Sequence, residues 1–231
     1  MTDPVILLPG MMCDARLFAP QIAVLSATRP VMVAPLADGD TVAAMAAAIL
    51  QYAPPRFALA GLSMGGIVAM EVIRQAPSRI TRLALMDTNP LAEAPERAKM
   101  RDQQIARVLG GALKAVIRDD MKPHYLADGS DRRTILDLCM DMALALGPDV
   151  FARQSRALQT RPDQCETLRG VDVPTLILHG AEDRLCPAER HELMRDFVPG
   201  AILARIDDAG HLPTLEQPKP TNEALEKWLT M

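Results

Sequence analysis

The segment Gly61-Leu62-Ser63-Met64-Gly65-Gly66 has the residue types and spacing of a serine held for nucleophilic attack. It follows the apolar run Phe57-Ala58-Leu59-Ala60 and precedes Ile67-Val68-Ala69-Met70-Glu71-Val72-Ile73, a strand-like run and then a helix-like run. G-x-S-x-G in that setting describes a sharp strand-to-helix turn that projects the serine hydroxyl. Glycine is needed at 61 and 65 because strand and helix backbones approach there too closely for a side chain. The helix expected from about Met64 to Gln75 points its free N–H groups and positive dipole end at the site, which favours negative charge.

A serine hydroxyl is a poor nucleophile at neutral pH, so it needs a base, and the base needs an orienting carboxylate. The chain has four histidines, His124, His179, His191 and His211. His211 lies in Ala209-Gly210-His211-Leu212-Pro213, just past the strand-like run 201–206, and is the candidate base. Asp183 closes the run Thr175-Leu176-Ile177-Leu178-His179-Gly180-Ala181-Glu182-Asp183 and is the candidate orienting acid. Asp87, after Leu83-Ala84-Leu85-Met86, competes with it from a neighbouring strand end. His179 and His191 read as packed, hydrogen-bonded residues, and His124 falls in a helical region that would face the substrate.

With these residues in the order Ser, Asp, His, each after a strand, the chain resembles the α/β-hydrolase-fold enzymes over nearly its whole length. The motifs that carry the resemblance are Gly61-Leu62-Ser63-Met64-Gly65-Gly66, Leu178-His179-Gly180-Ala181-Glu182-Asp183 and Ala209-Gly210-His211. The resemblance implies an acyl transfer with a tetrahedral intermediate, whose oxyanion needs backbone donors. Met64 N–H, after the nucleophile, is the first candidate donor, and Met11 N–H, in Leu8-Pro9-Gly10-Met11-Met12, is the second. The family usually has histidine where this chain has Pro9; a backbone donor survives that change.

Apolar runs alternating with helix-like runs argue a three-layer α/β/α sandwich on a mostly parallel sheet. Six strands are expected near 5–8, 31–34, 57–60, 83–86, 175–179 and 201–206, in spatial order 2-1-3-4-5-6. Relatives usually carry two further strands before the first, so the sheet is expected to be reduced. Helices are expected near 19–26, 41–52, 64–75, 188–197 and 221–229, with Asp40 as a cap for the second. Between Leu91 and Leu168 the alternation stops and four helices are expected, near 95–109, 113–120, 131–146 and 148–159. Gly110-Gly111, Asp128-Gly129-Ser130 and Gly147-Pro148 punctuate them. The expected division is a core of 1–90 and 169–231 with a helical cap of 91–168. Met12, His124 and Met140 are the expected substrate contacts, since methionine suits an adaptable apolar pocket. One or two of the cap's many arginines are candidates to meet a substrate carboxylate or an acidic carrier.

The composition, 49% apolar and 23% charged over 231 residues, is that of a globular domain. A net charge of −4 gives nucleic acid no attraction. The four cysteines, Cys13, Cys139, Cys165 and Cys186, lack metal-ligand spacing and read as reduced thiols of a cytoplasmic protein. No glycine-rich nucleotide loop, membrane span or signal peptide is evident, so neither cofactor nor metal is expected. The expected partner is a small-molecule acyl substrate, and oligomeric state is left open. The activity expected is that of a serine hydrolase cleaving a small carboxylic ester or a related acyl compound through an acyl-enzyme. Carbon–carbon bond hydrolysis, enol-lactone opening, a carrier-linked methyl ester and a non-catalytic binding role are the alternatives.

Overall fold

A computed structural model describes residues 2–129 and 131–231. Met1 and Ser130, the latter the last residue of the expected punctuation Asp128-Gly129-Ser130, lie outside the described residues. Six strands form one parallel sheet in the order β2-β1-β3-β4-β5-β6: β1 Val5–Leu8, β2 Val31–Val33, β3 Phe57–Leu62, β4 Ile80–Met86, β5 Thr175–Gly180 and β6 Ile202–Ile206. The order matches the sequence expectation, and β3 and β4 are longer than expected.

Alternation along each strand divides the core. Ile6, Leu8, Leu59 and Leu83 pack beneath α2 (Val42–Tyr52), α3 (Met64–Gln75) and α8 (Ala188–Phe197). Val5, Leu7, Ala58 and Ala84 face Phe18, Leu225 and Trp228, against α1 (Ala19–Leu25) and α10 (Pro218–Leu229). Both faces are covered, as a parallel sheet requires, so the strands read as continuous apolar runs. Thr41, and not Asp40, caps α2: its side chain accepts the Ala44 N–H at 3.1 Å. A short helix not anticipated from sequence, α9 (Pro213–Glu216), precedes α10, which starts earlier than expected because Pro218 fits a first helical turn.

A long helical insert separates β4 from β5. It begins with α4 (Pro95–Arg107) and continues through wide, π-type turns over 108–112 and 116–121 flanking α5 (Leu113–Ala115). These replace the regular helix expected near 113–120. Then come α6 (Arg132–Gln159) and α7 (Cys165–Arg169). Gly147, at φ 83° and ψ 176°, breaks α6 at the expected Gly147-Pro148 boundary. The insert has its own apolar cluster, including Ile105, Val108, Val116, Ile117 and Phe151.

Candidate active site

Strand pairing puts Leu62, Met86 and Leu178 in line at the carboxyl ends of the three neighbouring strands β3, β4 and β5. The residues that follow them therefore gather where ligands bind in open α/β sheets. Ser63 has φ 55° and ψ −116°, a conformation that costs a non-glycine residue about 1–3 kcal/mol. Its backbone is fixed on both sides: its N–H donates to Met86 O at 2.8 Å, and Thr88 Oγ1 donates to its carbonyl at 2.7 Å. A Cβ on Gly61 would overlap the Gly65 carbonyl, and one on Gly65 would overlap the Leu8 carbonyl. The sharp turn thus exists only with glycine at both positions.

Ser63 Oγ lies 2.8 Å from His211 Nε2, and His211 Nδ1 lies 2.8 Å from Asp183 Oδ2. Burial pushes the Asp183 carboxyl up, but the His211 ring and N–H bonds from Cys186 and Leu185 outweigh it and hold it below its ordinary range. An ionised carboxylate only accepts, so Nδ1 carries the ring proton and Nε2 is left with a lone pair for the serine O–H. The other Asp183 oxygen accepts from Leu185 N at 2.8 Å and Cys186 N at 3.1 Å, which fixes the carboxylate's orientation.

Asp87, the competing acid, is fully buried and turned elsewhere. Its Oδ1 accepts Gly180 N–H at 2.9 Å, and its Oδ2 has no partner among the described residues. Burial and then the nearby Asp183 charge push its carboxyl well above the ordinary value, which disfavours a second negative charge beside Asp183. His191 is also neutral: it accepts the Thr88 N–H through Nε2 at 3.2 Å, and burial and then His179 pull it down to about 3. His179 stacks on it at 4.7 Å and bonds Gly180 O through Nδ1 at 2.9 Å.

The histidine loop is held by a residue that carried no motif. Glu216 Oε2 accepts N–H bonds from Gly210 at 2.9 Å and Ala127 at 2.8 Å, and Oε1 accepts one from Leu212 at 2.9 Å. His211 N–H donates to Tyr125 O at 2.7 Å. The insert and the histidine loop are therefore tied through one carboxylate. Its only sequence signal is an acid five positions after the candidate base.

Met11 and Met64 flank Ser63, and neither backbone N–H has an acceptor among the described residues. The loop carrying Met11 is fixed from the insert: Gln154 accepts Met12 N–H at 2.8 Å and donates to Leu36 O at 2.9 Å. A cavity of about 410 Å³ opens over Ser63, lined by Met11, Met64 and His211 from the core and by Met100, Met121 and His124 from the insert, among others. Met12 and Met140, expected at this pocket, do not line it. Both pack into the insert's apolar cluster, where their flexible side chains fill space between helices.

Asp183, Cys186 and His211 hold donor atoms within 4.8 Å of one another. Two of those donors, the Asp183 carboxylate and the His211 imidazole, are engaged with each other at 2.8 Å. Burial, and after it the Asp183 charge, pushes the Cys186 thiol well up, which disfavours the thiolate that a metal ion would need.

Residues 5–224 match the alpha/beta hydrolase family. The chain belongs to that family. It is 30% identical over 203 residues to a pimeloyl-[acyl-carrier protein] methyl ester esterase of Aromatoleum aromaticum, covering 79% of this chain and 78% of that protein. An esterase from Thermogutta terrifontis superposes with TM-score 0.90 at 27% identity, covering 100% of this chain and 90% of that one. An enol-lactonase from Burkholderia xenovorans shares the fold, with TM-score 0.88 at 20% identity over 100% and 92% of the two chains. No helix among the described residues is long and apolar enough to cross a membrane.

Proposed function

We propose that this hydrolase is a serine esterase that cleaves a small carboxylic ester through an acyl-enzyme. The observation that carries the reading is the continuous chain from Ser63 Oγ through His211 to Asp183, with both links at 2.8 Å. His211 Nε2 takes the hydroxyl proton as Ser63 Oγ bonds to the carbonyl carbon. The Met11 and Met64 N–H groups bind the oxyanion; losing one such donor typically costs about 3 kcal/mol of transition-state stabilisation. Collapse breaks the ester C–O bond, and His211 returns the proton to the departing alcohol. A water then loses its proton to His211, attacks the acyl carbon and releases the acid, restoring Ser63. Asp183 holds the ring tautomer throughout and faces the transient positive charge. A fluorophosphonate probe tests the assignment: stoichiometric labelling on Ser63, abolished in Ser63→Ala, is expected. Folded protein that resists labelling would mean a binding role instead.

The name of the Aromatoleum relative favours a second reading, a methyl ester carried on an acyl-carrier protein. Release of methanol from such a carrier-bound ester, with free methyl esters untouched, would select it.

A further inference from the structure

The protein carries a net charge of −4, yet four arginines line the cavity above Ser63. Arg97 and Arg101 stand on α4 at positions i and i+4, with Gln104 following at i+7 on the same face, and all three line the cavity. Arg161 follows α6, and Arg184 adjoins Asp183 in the turn after β5. The acids do not balance them. Glu93, with a side chain only 1% exposed, is shared by Arg101 at 2.7 Å and Arg161 at 3.2 Å. Asp120, the carboxylate on the cavity wall besides the catalytic region, is engaged by Arg107 at 2.6 Å. Arg97 and Arg184 have no carboxylate within ion-pair distance among the described residues.

Two guanidinium groups sharing one carboxylate out of solvent leave an excess positive charge in a poorly solvated place, a costly arrangement unless an anion completes it. Burial lowers the Arg161 pKa against the pull of Glu93, and the charges of Arg101 and Arg97 lower it further. The excess lies close to the reacting atoms. Arg101 Nη1 is 3.7 Å from the sulfur of Met11, whose N–H is the second oxyanion donor proposed above. The rest of the lining is largely apolar, including Ile67, Met100, Met121, Leu158 and Leu185. An apolar chamber with a cationic wall fits a molecule that has a hydrocarbon stretch and one anionic end.

We infer that the site takes an ester whose acyl chain ends in a free carboxylate, held by Arg97, Arg101 and Arg161 while the ester carbonyl sits at Ser63. The inference rests on the esterase reading. Water is consumed, and the products are a dicarboxylic acid and an alcohol. Arginine suits the carboxylate because its planar fork donates two parallel N–H bonds. A carboxylate, and not a phosphate, is assigned because Arg101 and Arg161, which are largely buried, already share one carboxylate in the wall of a chamber lined largely by apolar side chains, with Arg97 more exposed.

Binding to Ser63→Ala protein separates this inference from turnover. Calorimetry compares monomethyl glutarate with dimethyl glutarate, which keeps the ester and masks the acid. The monomethyl ester is expected to bind at least about tenfold more tightly, a ratio that shrinks as salt rises. Arg97→Met, at an exposed position, and Arg101→Met are each expected to bring the ratio to within about threefold. Equal binding of the two esters overturns the inference, as does a ratio that persists in the Arg97→Met/Arg101→Met double variant. Stronger displacement of monomethyl glutarate by inorganic phosphate than by succinate also overturns it, in favour of a phosphate-bearing substrate. If the ratio holds but native protein hydrolyses neither ester, the anion site is supported and the esterase reading is the one that fails.

Discussion

At the carboxyl ends of the strands the site is held by backbone against backbone; across the pocket, in the insert, it is held by side chains. Ser63 is fixed because its turn is pressed against Leu8 and Gly65 with no space for a Cβ. The insert wall rests instead on Arg101 and Arg161 around Glu93, on Gln154, and on a methionine-bearing cluster. Gly110, within its wide turns, has nothing within 4 Å of where a Cβ would stand. Backbone packing leaves Ser63 no alternative position, so the chemistry proposed for it can be shared across a family. Side-chain packing is easily revised, so specificity can differ between members.

One substitution made in both regions should show this contrast at its sharpest. Gly65→Ala is expected to abolish activity and to unfold the protein or displace the elbow, because the added methyl meets the Leu8 backbone. Circular dichroism and ester hydrolysis would detect it; normal activity would refute the backbone account. At the other extreme, Gly110→Ala is expected to be neutral or to raise stability by roughly 0.5 kcal/mol, since it removes unfolded-state freedom without a clash. Urea denaturation would measure that.

Between these extremes lies the junction of the two regions. Glu216→Ala leaves three backbone N–H groups, of Ala127, Gly210 and Leu212, without their acceptor. A loss on the order of 3 kcal/mol in stability is expected, since each orphaned donor costs about 1–3 kcal/mol unless water reaches it. Turnover should fall with it as the His211 loop loosens, and kcat should suffer more than KM. Unchanged kcat would mean that the loop is held by Tyr125 O alone.

A smaller effect is expected from Asp87→Asn. The native carboxyl has its pKa raised by burial and by Asp183 above the ordinary 3.8, so the folded protein binds the proton that the unfolded chain gives up. Its stabilising contribution is complete below about pH 3.8 and is lost as pH rises through the folded value. The asparagine variant lacks this penalty and should gain on the native protein as pH is raised from 4 to 8, with most activity kept. Constant relative stability across that range would mean that Asp87 is ionised in the folded state.

The same contrast explains what could be read from sequence. Strands buried on both faces are continuous apolar runs, so β1, β3, β4 and β5 stand out, and the motif glycines report the close backbone contacts directly. Met12 and Met140 show the limit: a methionine signals an apolar setting but not whether that setting is a pocket or the space between two helices. Glu216 was invisible because its partners are backbone N–H groups, which every residue carries. Arg101 and Arg161 were legible as arginines, but their sharing of Glu93 exists only once α4 and the end of α6 are folded together.

The most direct test of the central claim is steady-state hydrolysis of a p-nitrophenyl ester series by native protein and Ser63→Ala. The account predicts Ser63-dependent turnover, with kcat falling at least about a thousandfold in the variant, as for removal of a triad nucleophile. Turnover that survives in Ser63→Ala would contradict it and place the reaction elsewhere in the molecule.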